Sequence, residues 1–179
     1  TASARQNFEK ALALNPTYAP AYATLATIDI AENHPADARK RFETVLVTSP
    51  NNATALLALA KLTASTGGKP EEVVALINKA LSGNPNDTTP RVALIEYYLA
   101  NQETKKAVNS AQEALAAIPD KPELLLVAGQ AQMLAGETNQ ALATYAKLAA
   151  LQPTSPMPDM RIAEVQFATK NYEEAAKSL

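Results

Sequence analysis

The chain contains no cysteine and no tryptophan, a single histidine and only five glycines among 179 residues. Without cysteine it can form no disulfide, no thiolate metal site and no catalytic thiol. Aromatic residues make up 5% of the chain and its formal net charge is -2, so it lacks the basic excess with interleaved aromatics that is typical of nucleic-acid-binding proteins. No apolar run approaches the ~18 residues of a membrane span. We therefore expect no nucleic-acid partner, no metal, no cofactor and no membrane span.

Alanine, by contrast, supplies about a fifth of the residues. Alanine is the best helix former and its small side chain lets helices approach closely, so this composition predicts a helical protein. The length favours one domain. No signal peptide is visible at the start, and both ends lie inside helical patterns. We expect the chain to be a piece of a longer protein, whose targeting it does not reveal.

Five prolines that close apolar helical patterns divide the chain into repeats with spacings of 34, 35, 34 and 34 residues. They are Pro16, Pro50, Pro85, Pro119 and Pro153. Apolar residues stand 12, 8 and 4 positions before each proline, which places them on one stripe of an α-helix. A second apolar helix follows each proline, with a small residue in most of the pairs found 9 and 10 positions on, as in Leu25-Ala26. Leu94-Ile95 occupies the same positions.

The turn within each helix pair is marked by polar residues, glycine or proline. The expected turns are Asn33-His34-Pro35, Thr66 to Pro70, Asn101-Gln102-Glu103, Gly136-Glu137 and Lys170-Asn171. The second of these contains one extra residue, which explains the single 35-residue spacing. We expect Leu94→Asp to destabilise severely, because Leu94 is assigned to a layer between helices, whereas Lys69→Ala in the variable turn should have almost no effect.

This 34-residue helix-turn-helix pattern, with Leu-Ala, a later Ala, an aromatic, Ala-Leu and a closing Pro, resembles the tetratricopeptide repeat over essentially the whole chain. The resemblance implies an all-α fold, a right-handed α-solenoid of stacked helix-turn-helix repeats forming one array over 1–179. Its units are 1–18 (partial), 19–52, 53–87, 88–121, 122–155 and 156–179 (partial). Arg91, Asp159 and Ala111 depart from the aromatic residues of the family, and we expect looser packing there.

Two related architectures fit less well. Pentatricopeptide repeats have a 35-residue period and bind RNA, but this chain is acidic and its period is 34. Repeats similar to Sel1 are longer and rely on glycine, which is scarce here.

A narrower resemblance rests on four stretches: 57–60, 113–115, 127–132 and 148–156. Their amino-acid sequences are similar to those of the tetratricopeptide lipoproteins of bacterial PEP-CTERM sorting systems, which accompany exopolysaccharide gene clusters. This resemblance implies an exported, lipid-anchored parent protein in the bacterial periplasm or outer membrane. A cytoplasmic protein is the alternative.

Candidate catalytic residues are few. His34 lies in a turn before Pro35 without a serine or carboxylate at a fixed spacing, so a solvated histidine is the better interpretation. The pairs Glu71-Glu72 and Glu173-Glu174 each open a helix, where acidic side chains complement the helix dipole. Gly67-Gly68 lacks the spacing of a phosphate-binding loop. We assign no catalytic residue and expect no enzymatic activity.

The resemblance places the first helix of each repeat along a concave groove. Residues 7, 11 and 14 positions after each proline share one helical face, with two apolar rows flanking a polar row. The predicted partner-binding groove consists of Ala23, Thr27, Ile30, Leu57, Lys61, Val92, Glu96, Leu99, Leu126, Gln130, Met133, Met160, Glu164 and Phe167. The alternative is that the apolar rows only pack against neighbouring helices. Glu96 and Glu164 oppose Lys61 and Arg161, which argues against capture of a peptide carboxylate.

These observations predict a scaffold that binds a partner protein or peptide in the groove. The alternatives are a structural spacer or self-associating rod within a longer array, and a regulatory domain of an enzyme encoded elsewhere in the parent. We also expect end-to-end self-association through apolar ends bearing Phe8 and Leu12 at one end and Ala175 and Leu179 at the other, weakened when flanking repeats are restored. Asp29, between Ile28 and Ile30, either finds a donor on a neighbouring helix or lies exposed at the groove edge.

Overall fold

A computed structural model describes residues 2–178, so the sequence-based assignments at Thr1 and Leu179 lie outside the described part. Those residues form eleven α-helices and no strand, which confirms the all-α class. The chain divides into two compact units between Pro85 and Asn86. The first unit contains α1 (Ala2–Leu14), α2 (Ala19–Ala31), α3 (Pro35–Thr48), α4 (Ala53–Ser65) and α5 (Pro70–Gly83). The second contains α6 (Thr88–Ala100), α7 (Thr104–Ala117), α8 (Pro122–Leu134), α9 (Thr138–Leu151), α10 (Met157–Ala168) and α11 (Tyr172–Lys177).

The helices end where the sequence predicts. Each of α1, α3, α5, α7 and α9 stops two residues before its closing proline, which cannot continue a helix. Side chains cap two of the helices that follow: Asn52 accepts a hydrogen bond from the N–H of Ala55 at 2.9 Å, and Asp87 accepts one from the N–H of Thr89 at 2.9 Å. The turn 66–69 is one residue longer than its counterparts, as the 35-residue spacing predicts.

The first helix of each pair ends in the same backbone motif. Residues 33, 67, 102, 136 and 170 all have positive φ. In the turn after α6, the N–H of Glu103 donates to the carbonyl of Tyr98 at 2.8 Å and that of Gln102 to Leu99 at 3.0 Å, the pattern of a Schellman cap. Glycine occupies only two of these five positions, Gly67 and Gly136. The other three turns hold a side chain in a left-handed conformation that favours glycine.

At one buried pair of positions, the large and the small residue exchange places between two neighbouring repeats. Gly129 faces the ring of Tyr145, whose side chain is 1% exposed. One repeat earlier the sizes are reversed: Ile95 and Ala111 stand at the equivalent positions and belong to one buried cluster. The expected looser packing at Ala111 is not supported, because the larger Ile95 is fully buried beside it.

The structure also corrects the assignment of Leu94 to the buried layer. Leu94 is half-buried, whereas the adjacent Ile95 has no exposed surface. The equivalent pair Leu25-Ala26 of α2 is fully buried at both positions, whereas in the pair on α6 Ile95 alone is fully buried. The severe effect expected for Leu94→Asp therefore belongs to Ile95.

Candidate binding surface

The polar row of the predicted groove is exposed in both compact units. Thr27 and Lys61 lie on α2 and α4 of the first unit, and all three members on α6, α8 and α10 of the second unit are likewise exposed. Those three are Glu96, Gln130 and Glu164. We call the side of each first helix that carries residues 7, 11 and 14 after the closing proline its first-helix face.

The apolar row at position 7 is partly covered by neighbouring helices. Ala23 packs against the core cluster of the first unit, Val92 against a cluster shared by α6, α7 and α8, and Leu126 against that of α8, α9 and α10. Leu57 is half-buried and Met160 is 51% exposed. Residues of this row therefore pack against neighbouring helices, and some of them also expose part of their surface to solvent.

The apolar row at position 14 is uneven. Ile30 and Phe167 are 46% and 66% exposed, while Leu99 and Met133 are half-buried against the two clusters of the second unit. Some members of the row therefore pack against helices, and others face solvent.

Two open depressions adjoin these rows, one in each compact unit. The first, of ≈ 280 Å³, is lined by residues of α2, α3 and α4 together with Asn52, and includes Ala23 of the predicted groove. The second, of ≈ 350 Å³, lies between α10 and α11 and is lined by Met160, Ala163, Glu164, Phe167, Ala168 and Ala175. The ring of Phe167 also meets that of Tyr172 edge-on, with centroids 5.2 Å apart.

Asp29 is buried and paired, which decides between its two predicted environments. Its carboxylate accepts from Arg41 of α3 at 2.5 Å and from Arg5 of α1 at 2.8 Å. Arg5 also pairs with Glu32 at 2.7 Å. Burial raises the pKa of Asp29, but the hydrogen bonds and charges of Arg41 and Arg5 outweigh it and hold the pKa below its ordinary value. The ionised carboxylate thus joins α1, α2 and α3.

Asp29 belongs to a recurring polar position that the sequence analysis missed. Thirteen residues after each closing proline stand Asp29, Thr63, Tyr98, Gln132 and Gln166. Gln132 accepts from Thr144 of α9 at 2.8 Å, and Gln166 accepts from Ser178, the residue directly after α11, at 2.9 Å. The same 12-residue separation joins Asp29 to Arg41. A search for polar residues at the same position of each repeat would have found this signal. The hydrogen bonds indicate that these residues hold the two helices of a pair together.

The polar residues considered as catalytic candidates have ordinary structural environments within residues 2–178. His34 is exposed at the start of α3, Glu72 pairs with Arg39, and the acidic residues of α5 and α11 lie in their first turns, as predicted. Burial raises the pKa of Tyr145 to about 12, so its phenol stays protonated at neutral pH.

Within residues 2–178 no group of His, Asp and Glu side chains could hold a metal ion. No helix in that range is both long and apolar enough to cross a lipid bilayer.

Two tetratricopeptide repeat models match the sequence, one over residues 1–62 and the other over residues 92–156. Together they span more than half of the chain. The chain belongs to the tetratricopeptide repeat family. Proteins of this family generally serve as scaffolds for protein–protein interaction rather than as enzymes. No curated protein sequence is significantly similar to this tetratricopeptide chain.

Solved structures share the fold at low sequence identity. A tetratricopeptide repeat protein from Parabacteroides merdae has a TM-score of 0.73 at 17% identity, with 99% of this chain and 70% of that chain covered. YrrB, described as having an unusual peptide-binding site, has a TM-score of 0.63 at 19% identity, with coverages of 96% and 88%. A MamA segment from Desulfovibrio magneticus has a TM-score of 0.68 at 16% identity, with coverages of 89% and 90%. These likenesses confirm the predicted fold class of stacked helix-turn-helix repeats.

Proposed function

We propose that this chain is a scaffold that binds a partner peptide or helix on its first-helix faces and has no catalytic activity of its own. The observation that carries the proposal is the exposure of the polar row on α2, α4, α6, α8 and α10. A face used only for packing would bury that row. Beside it, Ile30 and Phe167 keep apolar surface in solvent, which an amphipathic partner would cover.

The experiment measures binding of a panel of labelled amphipathic helical peptides by fluorescence polarisation. We expect micromolar binding that Ile30→Ser and Phe167→Ser each weaken, since both residues are exposed and their substitution leaves the core intact. Val47→Ser is the matched control, because Val47 is an 81% exposed apolar residue on the second helix α3. If Val47→Ser weakens binding as much as the other two, the binding surface is elsewhere. If no peptide binds, a structural spacer becomes the better description.

A second candidate function is end-to-end self-association, favoured by the apolar surface of α10 and α11. Leu126 and Met133 on α8 are half-buried against the cluster that α10 completes. Their counterparts one repeat later, Met160 and Phe167, are 51% and 66% exposed beside the depression between α10 and α11. A helix of a second copy could cover this surface.

Sedimentation velocity over a range of concentrations tests this candidate. We expect the average mass to rise with concentration, and Phe167→Glu to abolish the rise while Val47→Glu leaves it unchanged. A chain that stays monomeric at millimolar concentration would contradict self-association. An equal response of both variants would place the contact elsewhere.

We further propose that the parent protein is exported and lipid-anchored in a bacterium with an exopolysaccharide system. The support is the sequence similarity of the four stretches 57–60, 113–115, 127–132 and 148–156 to lipoproteins of that kind. Fractionation of cells expressing the full-length gene, with detection of a lipidated N-terminus, tests it. Recovery of the protein only from the cytoplasm would refute it.

A further inference from the structure

The first-helix faces of the second compact unit differ in charge from those of the first. On α6, α8 and α10 the exposed polar row contains two carboxylates and no cation. On α2 and α4 the corresponding row is Thr27 and Lys61. We propose that the first-helix faces of the second unit bind an amphipathic segment that carries Lys or Arg beside its apolar residues. This inference rests on the proposed function and specifies the chemistry of the partner.

Apolar contacts would provide the affinity. The polar row lies between Val92, Leu126 and Met160 on one side and Leu99, Met133 and Phe167 on the other. Met160 and Phe167 retain half or more of their surface in solvent and border the ≈ 350 Å³ depression. A depression of this size accepts a bulky aliphatic or aromatic side chain of a partner, which would remove both residues from water.

Electrostatics would select the partner. The three helices carry four carboxylates, Glu96, Glu123, Asp159 and Glu164, against two arginines, Arg91 and Arg161. Arg161 donates to Glu164 at 2.7 Å, with both side chains more than 40% exposed. An ion pair this exposed contributes little to stability, so a cation of the partner can replace Arg161 at little cost. A segment rich in Asp or Glu would instead meet Glu96 and Glu164, which disfavours it.

The test uses three synthetic amphipathic helices with the same apolar positions and with Lys, Gln or Glu at the polar positions. Binding is measured by fluorescence polarisation on the full chain, at a concentration where sedimentation shows monomer. We expect the Lys peptide to bind most tightly and the Glu peptide most weakly, and higher salt to reduce this difference. The double variant Glu96→Gln/Glu164→Gln should weaken binding of the Lys peptide by about threefold or more, since each exposed ion pair contributes up to about fivefold.

The matched control is Glu113→Gln/Glu173→Gln, which makes the same change of net charge on exposed residues of the second helices α7 and α11. It should leave the affinity for the Lys peptide within about twofold of the original. Equal binding of all three peptides would overturn the charge inference and leave the scaffold function standing. An equal loss of affinity for the Lys peptide in the two double variants would have the same meaning. Absence of binding by every peptide would overturn the scaffold function together with the inference.

Discussion

Gly129 and Tyr145 lie in close contact, so adding one methyl group at Gly129 tests how tightly the helices of this pair are packed. A Cβ atom at Gly129 would lie 2.4 Å from Cε1, 2.6 Å from Cζ and 2.8 Å from Cδ1 of Tyr145. These distances are far below van der Waals contact. The Tyr145 side chain is 1% exposed, so the surrounding core restricts any movement of the ring. Gly129→Ala should therefore force either α8 or the ring away from its position.

Two opposing effects determine the free energy of unfolding of this variant. Alanine in a helix interior is more favourable than glycine by about 1 kcal/mol. Overpacking a well-filled core costs about 1–3 kcal/mol. Because three ring atoms would be in conflict with the new methyl group, we take the upper part of that range. We expect Gly129→Ala to lower the free energy of unfolding by about 1–2 kcal/mol, opposite in sign to the effect of helix propensity.

Urea denaturation followed by circular dichroism measures the change, and Tyr145→Ile supplies the control background. At the equivalent positions of an earlier repeat, Ala60 and Ile77 are both buried, so the double variant recreates a pair that the fold already accommodates. In the Tyr145→Ile background, Gly129→Ala should stabilise by up to about 1 kcal/mol. If Gly129→Ala stabilises the otherwise unchanged chain, or has the same effect in both backgrounds, the steric explanation is wrong.

Three further predictions concern the turns, the buried carboxylate and the core. Gln102→Gly should raise the free energy of unfolding by about 1 kcal/mol, because glycine removes the left-handed strain at φ 60°; a lower urea midpoint would contradict this. Asp29→Asn should lower the free energy of unfolding by about 2–3 kcal/mol at pH 7, because it weakens hydrogen bonds between charged groups. Because the folded-state pKa of Asp29 is lowered, this difference should persist above pH ~4 and shrink as the pH falls further, and a pH-independent difference in melting temperature would refute the ion-pair account. Ile95→Asp should unfold the second unit while Lys69→Ala changes the melting temperature by less than ~2 °C, and similar melting temperatures would refute the assignment of faces.

The repeat period was enough to predict the helices and their turns. Proline forbids helical continuation through local geometry alone, so Pro50 and Pro119 marked helix ends without any knowledge of the tertiary structure. The extra residue in the turn 66–69 was also predictable, because Pro50 and Pro85 are 35 residues apart whereas the other intervals are 34. The polar row was also predictable, because residues 7, 11 and 14 of a helix share a face whatever packs beside it.

Features that depend on a residue's partner were harder to predict. The sequence offered two environments for Asp29, and the choice depended on Arg5, which lies 24 residues earlier on another helix. Leu94 and Ile95 are both apolar neighbours, so the period could not decide which of them faces the core. Gln102 has a positive φ because the Schellman cap that ends α6 requires a left-handed residue at this position, although glutamine by itself prefers negative φ.

The paired sizes at Gly129–Tyr145 and Ile95–Ala111 show why comparison with a family pattern, one position at a time, misjudged the packing. Ala111 was interpreted as a missing aromatic because only its own position was considered. The core, however, responds to the volume that two facing positions fill together, since interiors are packed to nearly constant density. Tyr145 supplies a ring opposite Gly129, which has no side chain, and Ala111 supplies only a methyl group to the cluster that contains the branched Ile95. Facing pairs of positions, 16 residues apart or 17 across the longer turn 66–69, therefore carry the information about packing better than single positions do.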